Sequence, residues 1–131
     1  TQVIYGIVNC GFYEGIQAET ALAVLENWCK KAGHSWGGGI GVGGGGALAM
    51  LPDMAPGRGP KAQIDKALTA LAERCRAGTV MEKEARENIY VSVAMPRTLY
   101  KMAGQLGWRQ MIKKNGGKTK DLSKRWEQEA K

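Results

Sequence analysis

Strand-like and helix-like segments alternate along this chain, and that alternation leaves few folds open. Val3 to Val8 is a short apolar run with β-branched Val3, Ile4, Ile7 and Val8 that stops at Asn-Cys-Gly, the pattern of a buried strand entering a turn. Residues 16 to 32 then place Ala21, Leu22, Val24, Leu25 and Trp28 at helical spacing, with Glu19, Glu26, Lys30 and Lys31 left for water. The early acid, the late Lys-Lys pair and Gly33 suit a helix and its stop. Trp36 to Val42 reads as a second strand. A second helix runs from Pro60 to about Arg76, buries Ile64, Ala67, Leu68, Leu71 and Ala72, and is closed by Gly78. Strand, helix, strand, helix implies a parallel sheet with helices on its faces. Two or three parallel strands are few for such a sheet, so half of a doubly wound domain is expected, completed by another segment, another chain or self-association.

Past this core the pattern changes. "NIYVSVAM" (88–95) reads as a short edge strand or an extended lead-in, stopped by Pro96. Arg97 to about Lys114 reads as a helix with Leu99, Met102, Ala103, Leu106 and Ile112 on one side, broken by "KNGGK", with a short polar helix over 121–130. A boundary is expected at 96, separating a half-domain (1–96) from a basic helical tail (97–131) docked on it. Charge follows the same boundary: residues 1–96 hold nine Lys/Arg and nine Asp/Glu, whereas 97–131 hold ten Lys/Arg against Asp121, Glu127 and Glu129. The +7 excess therefore sits wholly in the tail. Cations interleaved with Tyr100, Trp108 and Trp126 can serve nucleic acid or an anionic surface, yet the Leu99–Met102–Leu106 spacing favours docking, with the cations solvated.

Several function classes drop out. No apolar run spans a bilayer, and the opening run lacks a basic region before it and a small-residue cleavage site after it. Cys10, Cys29 and Cys75 are odd in number without paired spacing, so reduced thiols and a cytoplasmic setting are expected. The opening on Thr1 rather than Met suggests a processed or truncated product. His34, the lone histidine, makes no metal spacing with Cys29 and completes no catalytic triad; it reads as a surface residue after a helix stop. "GRGPK" (57–61), a glycine turn with two cations at a helix start, could hold an anion on free N–H groups, but with no Ser or Thr beside it a turn with Arg58 and Lys61 in solvent is favoured. Gly41, Gly43 and Gly46 spell G-x-G-x-x-G, but Pro52 and Pro56 follow where a dinucleotide fingerprint would open a helix. These glycines read better as bare backbone for the close approach of a flat ligand or a neighbouring strand.

In open α/β sheets, ligands sit beyond the carboxyl ends of the strands. Two stretches emerge there: "NCGFYEG" (9–15), with its aromatic rings, and the "GGGG" stretch (43–46). Together they suit a planar ring system with a polar edge better than a metal or a nucleophile.

The series "YGIVNCGFYEG", "NWCKKAG", "WGGGIGVGGGG", "GRGPK" and "MPRTLYKMAGQLGWRQMIKKNG" resembles, in order and over nearly the whole chain, the C-terminal half of the flavodoxin-fold NAD(P)H-dependent FMN oxidoreductases. The resemblance implies a flavodoxin-like three-layer α/β/α fold with a parallel sheet. Val3 to Val8 would be its fourth strand and Ile40 to Gly43 would lie near its fifth. It also implies FMN as cofactor, NAD(P)H as donor, and an isoalloxazine edge bordered by Asn9, Cys10, Gly11, Phe12, Tyr13, Glu14 and Gly15. The family's phosphate-binding loop, which follows its first strand, has no counterpart here, so the implied oxidoreductase belongs to a larger parent. The alternative is a non-enzymatic interaction domain that uses the basic C-terminal helix on nucleic acid or an anionic surface.

Overall fold

A computed structural model describes residues 2–77 and 87–124, and the chain divides into two compact units, Thr1–Met95 and Pro96–Lys131. The first unit holds three parallel strands in the order β1 (Val3–Asn9), β2 (Ser35–Val42) and β3 (Ile89–Val91). Between β1 and β2 the chain makes a 3-10 turn (Gly15–Ala18) and helix α1 (Glu19–Lys31). Between β2 and β3 come the short helix α2 (Gly45–Ala49), a 3-10 turn (Gly59–Lys61) and helix α3 (Ala62–Ala77). The expected α/β arrangement is therefore present, and "NIYVSVAM" contributes its strand as only three residues. The closing role of Gly78 and most of the 121–130 helix fall outside the described residues; within them, Thr119–Ser123 forms a 3-10 turn.

The two long helices lie on opposite faces of the sheet. On one face Ile4 and Val8 pack with Leu22, Cys29, Trp36 and Tyr90, and Leu22, at 0% exposure, fixes α1 there. On the other, the Tyr5 hydroxyl donates to the Arg74 carbonyl of α3 at 3.1 Å, and α3 buries Ile64, Ala67 and Leu71. This is a three-layer α/β/α stack. Strands in the order 1-2-3 joined by two right-handed crossovers would carry both helices on one face, so one of the two connections runs against the usual hand.

The glycines of β2 explain how α1 comes so close. A Cβ at Gly39 would stand 2.7 Å from Leu22 Cδ2, and one at Gly41 would stand 2.7 Å from the Gly15 carbonyl and 3.0 Å from Ala18 Cβ. The space beside this bare backbone is taken by the chain itself: by α1 and the Gly15 loop, and also by the neighbouring strands, through the Gly6 carbonyl at Gly39 and the Tyr90 ring at Gly41. β2 carries one more residue than β1 between the pairs Ile4↔Trp36 and Gly6↔Gly39. Gly38, at φ 98°, takes up that bulge in a conformation few other residues adopt.

Helical spacing overestimated burial on α1 and α3. Val24, Leu25, Trp28 and Leu68 are substantially exposed, while Cys29 is fully buried. Leu25 stands over β1, since a Cβ at Gly6 would lie 3.2 Å from its Cδ1. Among the described residues β1 is hydrogen-bonded only to β2, and its Ile7 is 58% exposed. Its sequence, VIYGIVN, has none of the lysines or prolines that usually protect an edge strand.

In the second unit, helix α4 (Arg97–Lys114) ends at Asn115, and no residue of it is buried. Leu99, Met102 and Leu106 are all more than half exposed. Among the described residues, no helix is long and apolar enough to cross a membrane.

Candidate functional site

Parallel strands release their following loops at one edge, and here the loops after β1 and β2 meet. The Cys10 amide donates to the Val42 carbonyl at 2.9 Å, which holds the start of the first loop against the end of β2. The Gly44 amide donates to the Phe12 carbonyl at 2.6 Å and the Gly45 amide to the Cys10 carbonyl at 3.0 Å, while the Gly43 amide is taken by the Val91 carbonyl at 2.8 Å. Gly44 has φ 81°, a left-handed turn that aims its amide and its neighbour's at the loop. A Cβ at Gly43 would stand 2.6 Å from the Gly15 amide nitrogen, and one at Gly45 would strike the Asn9 side chain. The space at Gly43 and Gly45 is therefore filled by the chain's own loop and that at Gly44 by Val93, whereas Gly46 is met by no described atom within 4 Å.

Each of the seven loop residues has a defined place. Asn9 is the exposed last residue of β1. Cys10 is half-buried, with Sγ 3.8 Å from the carbonyl oxygens of both Phe12 and Glu14. Gly11 is exposed at the tip. Phe12 is 67% exposed, so its ring stands in solvent above the edge. Tyr13 is half-buried and its hydroxyl donates to the Met95 carbonyl at 2.7 Å, which makes it a strut. Glu14 is half-buried. Gly15 is buried and its amide donates to Ser92 Oγ at 3.2 Å.

Two residues of this assembly, Ser92 and Met95, escaped the sequence reading. The available signal was the expected strand at 88–95: a third parallel strand must also release its following residues at this edge.

The remaining candidates separate from the loop. A helix does open within Gly41-x-Gly43-x-x-Gly46, contrary to expectation, but α2 has only five residues and its leading amide, at Gly45, is bonded to the Cys10 carbonyl. In "GRGPK", Arg58 is exposed as expected, whereas Lys61 Nζ donates to the Met54 carbonyl at 2.8 Å instead of facing solvent. His34 is half-buried rather than on the surface: its ring lies 5.9 Å from that of Trp28, and its Nδ1 is buried without a hydrogen-bond partner. It lines an open cleft of about 690 Å³ with Glu26, Lys30, Ser35, Trp36, Glu87 and Asn88. Ser35 begins β2 and Asn88 immediately precedes β3, so this cleft opens at the amino ends of the strands, the edge opposite the loops. Among the described residues, no group of three or more His, Cys, Asp and Glu converges as a metal site. No family model, curated protein or solved structure matches the chain.

Proposed function

We propose that the Asn9–Gly15 loop borders the isoalloxazine edge of FMN, in a parent protein that transfers electrons or hydride between NAD(P)H and an acceptor. One observation carries the reading. At the carboxyl edge of a parallel sheet, a loop fixed by hydrogen bonds to Val42, Gly44, Gly45 and Met95 holds out a single exposed aromatic ring, Phe12. A ring held this way presents a flat apolar surface without losing freedom on binding.

The residues fit part of the cofactor. Phe12 would cover one face of the ring system, and the loop backbone around Gly11 would meet its polar edge. Tyr13 and the glycine turn would act behind them as supports. Among the described residues the phosphate finds no equivalent anchor: the anion-binding candidate, Gly57 to Lys61, has its lysine tied to Met54. The outer edge of β1, which pairs with no described strand, is where further strands, and an anchor carried by them, would pair. Bound FMN supplies the redox chemistry; the chain orients the ring and shields one face from water.

Titration of the full chain with FMN and with riboflavin, followed by flavin fluorescence, tests this reading. Ring contacts without a phosphate anchor predict saturable quenching of equal strength for both, weakened by Phe12→Ala. No saturable change with either flavin, or a response unaffected by Phe12→Ala, would overturn it.

A further inference from the structure

We propose that the Pro96–Lys131 unit binds single-stranded nucleic acid, with Lys101, Gly104 and Trp108 of α4 as its contact face. This goes beyond the flavin reading and stands independently of it. α4 carries Arg97, Lys101, Arg109, Lys113 and Lys114 and no acidic residue over its 18 positions, and the following turn adds Lys118, Lys120 and Lys124 against Asp121 alone. A surface of that sign attracts a polyanion. Lys101, Gly104 and Trp108 follow at three- and four-residue spacing and share one face of the helix. Trp108 is 61% exposed. Large helical side chains lean toward the preceding turn. There Gly104 leaves open space: apart from the helix's own backbone, no described atom lies within 4 Å of where a Cβ would stand. The indole thus has a vacant flank on which a base can stack, and Lys101 stands about 10 Å further along the axis to meet phosphate.

A lipid surface fits this helix poorly. An interfacial helix segregates apolar residues from cations. On α4 the Leu99–Met102–Leu106 stripe and Trp108 lie on opposite faces, with cations between and beside them. Immersing either face would leave the apolar residues of the other in water.

Fluorescence anisotropy of a labelled oligothymidylate with the full chain tests the proposal. Binding is expected to weaken as salt rises, with a log–log slope of about −0.7 per phosphate neutralised, and Lys101→Ala should make that slope shallower by about the same amount. Trp108→Ala should weaken binding about tenfold or more, while Trp108→Phe should retain most of the affinity. Because α4 buries no side chain, circular dichroism should be unchanged in all three variants. Three results would overturn the proposal: no binding at low salt, affinity unaffected by Trp108→Ala, or loss of the oligonucleotide to vesicles containing phosphatidylserine.

Discussion

Gly43→Ala is the perturbation that most sharply separates a glycine turn built to seat a loop from one left open for a ligand. The new methyl group would stand 2.6 Å from the Gly15 nitrogen and 2.7 Å from the Glu14 carbonyl carbon, and would also press on the Tyr13 carbonyl oxygen. All three are backbone atoms, so no side-chain rotation relieves the contact. Overpacking of this kind costs about 1–3 kcal/mol. Displacing the loop also strains the neighbouring Gly44–Phe12 and Gly43–Val91 hydrogen bonds, each worth about 1 kcal/mol net. A combined loss of about 2–4 kcal/mol is expected, which for a unit of this size lowers Tm by roughly 10–20 °C. Gly46→Ala is the matched control. A Cβ there meets nothing within 4 Å, and the position lies inside α2, so a neutral or slightly stabilising effect is expected. Urea denaturation followed by circular dichroism measures both. A Gly43→Ala midpoint equal to that of the parent, or a Gly46→Ala chain as unstable as Gly43→Ala, would refute the seating role.

Tyr13→Phe removes only the hydroxyl that reaches Met95, so a loss of about 1 kcal/mol in urea denaturation is expected, with faster amide exchange over residues 10–14. Leu22→Ala opens a cavity at the centre of the α1 face and should cost about 2–4 kcal/mol by the same assay, whereas Val24→Ala, on the exposed flank, should stay within about 0.5 kcal/mol. Asp121 accepts from the Lys118 amide at 2.7 Å and pairs with Lys124 at 3.0 Å; the amide bond first, and then Lys124, hold its carboxyl below the ordinary value of 3.8. A carboxyl lowered on folding stabilises its turn above its ordinary value, and that stabilisation is lost as pH falls through the lowered one. The Thr119–Ser123 turn should therefore loosen only below about pH 4, seen as movement of the Lys118 amide resonance, and Asp121→Asn should abolish that titration.

Element type was legible in the sequence where period and punctuation agreed. The β-branched run at Val3 to Val8, the stripe that includes Leu22, and Pro60 at a helix start each carry a local physical signal, and each lies where that signal put it. Burial was harder to read, because helical spacing defines a stripe but not what covers its flanks. Leu22 meets the sheet while Val24 and Trp28 overhang it. The purpose of the glycines was harder still. Gly39, Gly41 and Gly43 look alike in sequence, and only the fold reveals that Leu22, Ala18 and the Tyr13–Gly15 backbone occupy the space they leave. The loop at 9–15 was legible as a candidate from its composition. Its division of labour was not: a tyrosine anchored on a carbonyl 82 residues away and a phenylalanine left in solvent differ in tertiary partners, not in local sequence.

Amide chemical-shift mapping of the full chain with riboflavin would locate the flavin most directly. Shifts concentrated in Cys10 to Gly15 and in Gly43 to Gly45, with Phe12 ring resonances moving upfield, are the predicted result. Shifts confined to the Glu26, His34 and Asn88 cleft at the opposite edge of the sheet, or no shifts at all, would contradict it.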